Sequence, residues 1–113
     1  MRCYAIAILR DVTMGPPIVE YLERIDGTLA PVGGRFAVHG GQAEILEGED
    51  PGTLVIIEFP DRDHARRWYA CDDYQRILPL RTRNSRSTVL LADGVGPAHK
   101  ATDVLHADNR DGR

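Results

Sequence analysis

At 113 residues and a formal charge of −3, the chain has the length of one domain with a modest core and no room for a second. Acidic and basic residues are interspersed, which argues against a dedicated nucleic-acid or membrane surface. Two cysteines are too few for a disulfide framework, and Cys3 and Cys71 read as small apolar fillers in a reducing compartment.

All the basic residues but Lys100 are arginines, the signature of codon bias in a GC-rich bacterial genome. The chain enters a strand pattern at once, without a basic leader or a long apolar run, so the expected location is the cytoplasm. Cys3 to Arg10 is the first strand: Tyr4, Ile6 and Ile8 fall on one face, Cys3, Ala5, Ala7 and Leu9 on the other, and neither face is polar. Pro16 and Pro17 suit the first turn of a helix, where a missing N–H costs nothing. Ile18, Leu22, Ile25 and Leu29 then form its apolar stripe, and Pro31 with Gly33-Gly34 ends it.

Arg35 to Leu46 reads as a second strand that changes phase at Gly40-Gly41, where a bulge is expected. Residues 47–52 form a polar loop. Thr53 to Phe59 is a strand without a polar face, stopped by Pro60-Asp61. Asp61 caps the helix that carries Ala65, Trp68 and Tyr69; Cys71-Asp72-Asp73 breaks or re-caps it, and a second segment brings Tyr74, Ile77 and Leu78 as far as Pro79. Thr88 to Ala92 is the last strand. The domain is expected over residues 1–97, and residues 98–113, which lack an apolar period, are expected to form a disordered tail.

The order β-α-β-β-α-β is that of a ferredoxin-like α+β fold, in which two helices cover one face of a four-stranded antiparallel sheet. Two helices cover only one face, yet three strands are apolar on both. A second copy packed sheet against sheet satisfies the other face, which predicts a homodimer; an interface of roughly 1,600 Å² suffices.

Gly33-Gly34-Arg35-Phe36, Gly40-Gly41, Leu46-Glu47-Gly48, Ile57-Glu58-Phe59-Pro60, Ala65, Trp68-Tyr69, Tyr74-Gln75 and Pro79-Leu80-Arg81 together resemble domain-of-unknown-function family 1330 (DUF1330), within the dimeric α+β barrel superfamily. The resemblance spans about Tyr4 to Val95. It implies the same fold and dimer and no particular activity. Members typically carry arginine where this chain has His39, and the wider superfamily includes cofactor-independent monooxygenases, isomerases and haem-degrading enzymes.

His39 is the sharpest candidate for chemistry, since imidazole moves protons near neutral pH and a bulge re-aims side chains toward sites. If Leu46 opposes Leu54, Gln42 opposes Glu58 and His39 lies just beyond, so Glu58 would orient His39 as a catalytic base. The bland alternative leaves His39 at a strand end and Glu58 paired with an arginine. Tyr69, Tyr74 and Arg81 form a second group: the arginine fork would grip a substrate carboxylate and the rings would wall the site. Against this, the aromatics pack as core and Arg81 pairs with Asp72 or Asp73. His64, His99 and His106 lack metal-ligand spacing, and no glycine pair opens a helix as a phosphate or dinucleotide loop does, so neither metal nor cofactor is expected. Two readings stand: a cofactor-independent enzyme acting on a small carboxylated or aromatic molecule, and a non-catalytic ligand-binding or structural homodimer.

Overall fold

The computed structural model describes residues 1–107. β1 (Cys3–Arg10) is an inner strand, as its two apolar faces require, with β3 (Thr53–Phe59) on one side and β4 (Arg86–Asp93) on the other. β2 (Arg35–His39) pairs with the outer edge of β3, so the order is β2-β3-β1-β4 and every pairing is antiparallel. The helices α1 (Pro16–Leu29), α2 (Arg62–Ala70) and α3 (Asp72–Thr82) pack on one face. This is the ferredoxin-like α+β arrangement.

Burial follows the period of the strands. Cys3, Ala5, Val55, Ile57 and Phe59 are buried beneath the helices with Ile25, Leu29, Ala65, Trp68, Tyr74 and Ile77. Their neighbours Tyr4, Ile6, Ile8, Leu54 and Ile56 point the other way and are only partly buried, and Leu90 is exposed. That second face is apolar and uncovered among the described residues. No helix among the described residues is long and apolar enough to cross a membrane.

Four local details depart from the sequence reading. The stripe of α1 centres on Ile18, Tyr21, Ile25 and Leu29, while Leu22 sits at its exposed margin. The second strand stops at His39, seven residues short of Leu46, because Gly40 and Gly41 both take positive φ (67° and 74°). That conformation is open to glycine and ends the extended run. The bulge lies earlier, between Phe36 and Val38. α3 runs through Pro79 to Thr82, since proline gives up only its own N–H toward the carbonyl four residues back. Finally, the stretch expected as a tail carries a 3-10 turn at Ala101–Asp103 and one helical turn, α4 (Val104–Ala107). The Asp103 carboxylate accepts from the Lys100 N–H there at 3.1 Å. Residues 108–113 of that expected tail lie outside the described residues.

The caps behave as their chemistry requires. Asp61 accepts from the His64 N–H at 2.8 Å and opens α2. Cys71, in extended backbone, ends α2 and caps α3 through its sulfur, which accepts from the Tyr74 N–H at 3.4 Å. Gly34 lets the chain pass beneath α1: an added Cβ would lie 2.7 Å from the Phe59 ring and 2.8 Å from Leu29.

One buried polar contact ties α1 to α2. The Trp68 indole N–H donates to Thr28 Oγ1 at 2.9 Å, and that hydroxyl donates to the Ile25 carbonyl at 2.7 Å. Thr28→Val keeps the shape and leaves the indole N–H buried without an acceptor, at a cost of about 1–3 kcal/mol. Urea unfolding at fixed protein concentration, read by the fluorescence of the single tryptophan, should give a lower midpoint with an unchanged slope. An unchanged midpoint would mean that the contact contributes nothing.

Candidate functional site

Between the helix-bearing face of the sheet and α1 and α3 lies a cavity of about 80 Å³, room for several waters or a small organic molecule. Its walls are mostly apolar, from Ala5, Ala7, Val55, Ile57 and Val89 on the sheet and Ile18 and Ile25 on α1. Five residues give it polar character: Tyr21, His39, Tyr74, Arg81 and Ser85.

Arg81 is the unusual one. Only 5% exposed, it has no carboxylate partner among the described residues. The sequence alternatives of Asp72 or Asp73 are not realised, as Asp73 pairs with Arg76 at 2.6 Å. The guanidinium instead donates through Nη1 to Ser87 Oγ at 2.5 Å and, at long range, through Nη2 to the Tyr74 hydroxyl at 3.5 Å. It also sits over the Tyr21 ring, 5.9 Å from its centroid. The hydroxyls of Tyr21 and Tyr74 are 2.8 Å apart. Burial, and then Tyr74 beside it, raise the Tyr21 hydroxyl above the ordinary tyrosine range, so it stays neutral and supplies no counter-charge. Arginine keeps its proton in proteins. The cavity wall therefore holds a buried positive charge surrounded by neutral groups.

His39 reaches the same cavity through the bulge. Arg35 opposes Glu58 on the uncovered face; two steps of regular strand would keep residues 35, 37 and 39 there together. The extra residue between Phe36 and Val38 shifts the phase, so that Phe36 opposes Ile57 and His39 opposes Val55, both on the helix side. The imidazole stacks on the Phe36 ring at 4.2 Å with 12° between planes, and it is exposed where Arg81 is buried. His39 thus marks the outer part of the cavity and Arg81 the inner.

Two other expected site residues lie elsewhere. Glu58 does not orient His39, because the true register sets it opposite Arg35 at the far end of β2 and on the other face of the sheet. There it binds Arg2 and Arg35, the latter at 2.9 Å. Hydrogen bonding from Arg35 first, then the charges of the two arginines, holds its carboxyl below the usual glutamate range. Tyr69 does not wall the cavity. It is 39% exposed on the outer side of α2, where it lines a shallow groove with Arg66, Leu90 and Leu91. Tyr74 is the tyrosine that faces inward. Among the described residues no cluster of three His, Cys, Asp or Glu side chains has the arrangement to hold a metal ion.

The model of the domain of unknown function DUF1330 matches residues 2–95. The chain belongs to the DUF1330 family. No curated protein matches it. Among solved structures, this DUF1330 chain is similar to the RPA0582 protein of unknown function from Rhodopseudomonas palustris, at 15% identity and a TM-score of 0.65, over 85% of this chain and 84% of that one. It is also similar to a dimeric ferredoxin-like protein of unknown function from Jannaschia sp. CCS1, at 13% identity and a TM-score of 0.63, over 83% and 100%. A third similar structure is SnoaB, a cofactor-independent oxygenase from Streptomyces nogalater, at 18% identity and a TM-score of 0.55, over 88% and 98%. At such identities the likeness is one of fold.

Within the DUF1330 chain the sequence reading missed Tyr21 and Ser87. Tyr21 was hidden by the choice of Leu22 for the apolar stripe, although its spacing to Ile18 and Ile25 fits the inner face as well. Ser87 gave no signal, being one hydroxyl in an arginine-rich stretch at the start of β4.

The Glu58 cluster makes a testable statement about pH. A carboxyl whose folded value is lowered contributes stability that is fully present above the unfolded value, about 4.3 for glutamate, and is lost as pH falls through the folded one. Glu58→Gln should therefore be destabilised relative to the native chain at neutral pH, and the two melting curves should converge as the solution is acidified below the glutamate range. A constant difference across pH would rule the ion cluster out as the cause.

Proposed function

We propose that this protein is a cofactor-independent enzyme that takes a small carboxylated or aromatic molecule into the cavity between helices and sheet, with His39 as its catalytic base. The observation that carries this reading is the composition of one cavity: apolar walls, an exposed imidazole at the outer end, and at the inner end a buried guanidinium without a carboxylate. Apolar pockets with a few convergent polar groups are where proteins hold small ligands. A base at the entrance and a positive field within suit removal of a proton from a substrate whose negative charge develops deeper in the cavity. The fold-level likeness to an oxygenase that works without a cofactor is consistent with such chemistry.

The competing reading, a ligand-binding homodimer without turnover, draws on the absence of any side-chain hydrogen bond to His39 among the described residues. In either case the chain works as a homodimer through the sheet face formed by Tyr4, Ile6, Ile8, Leu54, Ile56 and Leu90. Exposed apolar faces of that extent call for a partner, and the similar Jannaschia protein is described as dimeric.

Two measurements test these proposals. Light scattering at micromolar concentration should give twice the chain mass of 12.6 kDa; Ile6→Asp should give soluble monomer. A monomeric native protein would refute the interface. For the chemistry, small aromatic and carboxylated compounds that raise the melting temperature are incubated with the protein and followed by mass spectrometry. His39→Ala should still bind them and lose turnover by roughly 10²–10⁴-fold. Unchanged turnover in His39→Ala would remove it as the base, and binding without conversion by either form would favour the competing reading.

A further inference from the structure

The donors and acceptors at the inner end of the cavity do not balance. The guanidinium donates to Ser87 Oγ and Tyr74 Oη, so its fork is turned toward protein oxygens. The hydroxyls of Tyr21 and Tyr74 share a single hydrogen bond at 2.8 Å; whichever of them donates, one phenolic proton is left over. Among the described residues no hydrogen bond joins either tyrosine hydroxyl to Ser85, whose own hydroxyl donates to the Arg81 carbonyl at 2.8 Å. No carboxylate among the described residues accepts from this cluster. A group with surplus donors and a net positive charge, set in an apolar wall, is complementary to an acceptor that carries negative charge.

Resting on the reading of the cavity as a ligand site, we propose that the ligand is a small phenol or enol bound as its anion, its oxygen held by the Tyr21–Tyr74 hydroxyl pair with Arg81 behind it. One leftover O–H proton fits a single oxygen. It does not satisfy the two oxygens of a carboxylate, and the Arg81 N–H groups that make contacts are turned to Ser87 and Tyr74. Because Tyr21 is raised above the ordinary tyrosine range, it remains a donor in the presence of the ligand's charge. Arg81 acts through the tyrosines and is a positioning residue. The ligand body lies against Ile18, Ile25, Val55 and Val89, and the cavity of about 80 Å³ admits about one ring, with anything larger projecting past the Phe36–His39 stack.

The test uses the full chain and three probes: 4-nitrophenol, whose absorption changes on ionisation, nitrobenzene as its uncharged counterpart, and benzoate as a carboxylate. The expected result is that 4-nitrophenol binds as the phenolate, ionises at lower pH when bound than when free, and binds at least ~tenfold more tightly than nitrobenzene. Tyr21→Phe should abolish most of that preference while the free protein stays folded, as read by a native-like Trp68 fluorescence and a cooperative melt. If Tyr21→Phe does not fold, Tyr74→Phe serves in its place with the same expectation. The proposal is overturned if benzoate or nitrobenzene binds as tightly as nitrophenolate, or if the tyrosine variant keeps the preference. Equal binding of all three probes would leave the cavity as a ligand site and remove only the anion; no binding by any of them would remove both.

Discussion

The burial of Arg81 is the constraint on which the rest of the domain turns. Moving an unpaired ion out of water costs several kcal/mol even after relaxation, so every layer that meets the guanidinium has to offer it something. β4 offers the Ser87 hydroxyl, α3 the Tyr74 hydroxyl one helical face back along the same helix, and α1 the face of the Tyr21 ring. Two consecutive elements, α3 and β4, and the distant α1 thereby meet around one charge. The aromatic cluster that follows, with Tyr74 packed at 4.1 Å from Trp68 and Trp68 at 5.4 Å from Phe59, carries the same order through to β3. A cation compensated only by hydroxyls and a ring is stable enough to fold around and still incompletely neutralised. That residual field makes the cavity more than a packing defect.

The second constraint is parity. A strand presents alternate residues to opposite faces, and a one-residue insertion exchanges the faces for everything beyond it. Upstream of the bulge Arg35 belongs to the uncovered side of the sheet with Glu58; downstream His39 belongs to the helix side with Val55. Without the extra residue, the imidazole would point away from the cavity and toward the uncovered apolar face. The histidine is therefore a member of the site through a backbone irregularity and not through its place in an alternating pattern.

That distinction explains which parts of the molecule were legible in the sequence. Strands β1 and β3 and the start of α2 were readable because apolar runs, a proline stop and the Asp61 cap are local signals whose physics is complete within a few residues. The register of β2 was not. Gly40-Gly41 advertised an irregularity, yet the bulge fell at Phe36–Val38, where no glycine marks it. The pairing of Glu58 with His39 failed for the same reason, as it assumed a hairpin extended to Leu46. Arg81 and Tyr74 were identifiable as candidates from residue type, while Tyr21 became a site residue only when α1 acquired its rotation about its own axis. Element type follows from local chemistry; the composition of a site follows from register and helix rotation, which are settled by packing.

The two faces of the sheet then divide the work. The covered face carries the charge, the hydroxyls and the imidazole, and its polarity runs from an exposed imidazole at one end to a buried cation at the other. The uncovered face carries almost nothing but Tyr4, Ile6, Ile8, Leu54, Ile56 and Leu90, with the Arg2–Glu58–Arg35 cluster at its border. Substitutions on β1 and β3 therefore separate by parity. A change at Ile6 or Ile56 addresses the uncovered face, and a change at Ala7 or Val55, one residue away, addresses the cavity, because neighbouring side chains on a regular strand point to opposite faces. On the covered side the small side chains Ala5 and Ala7 leave the space that the cavity occupies.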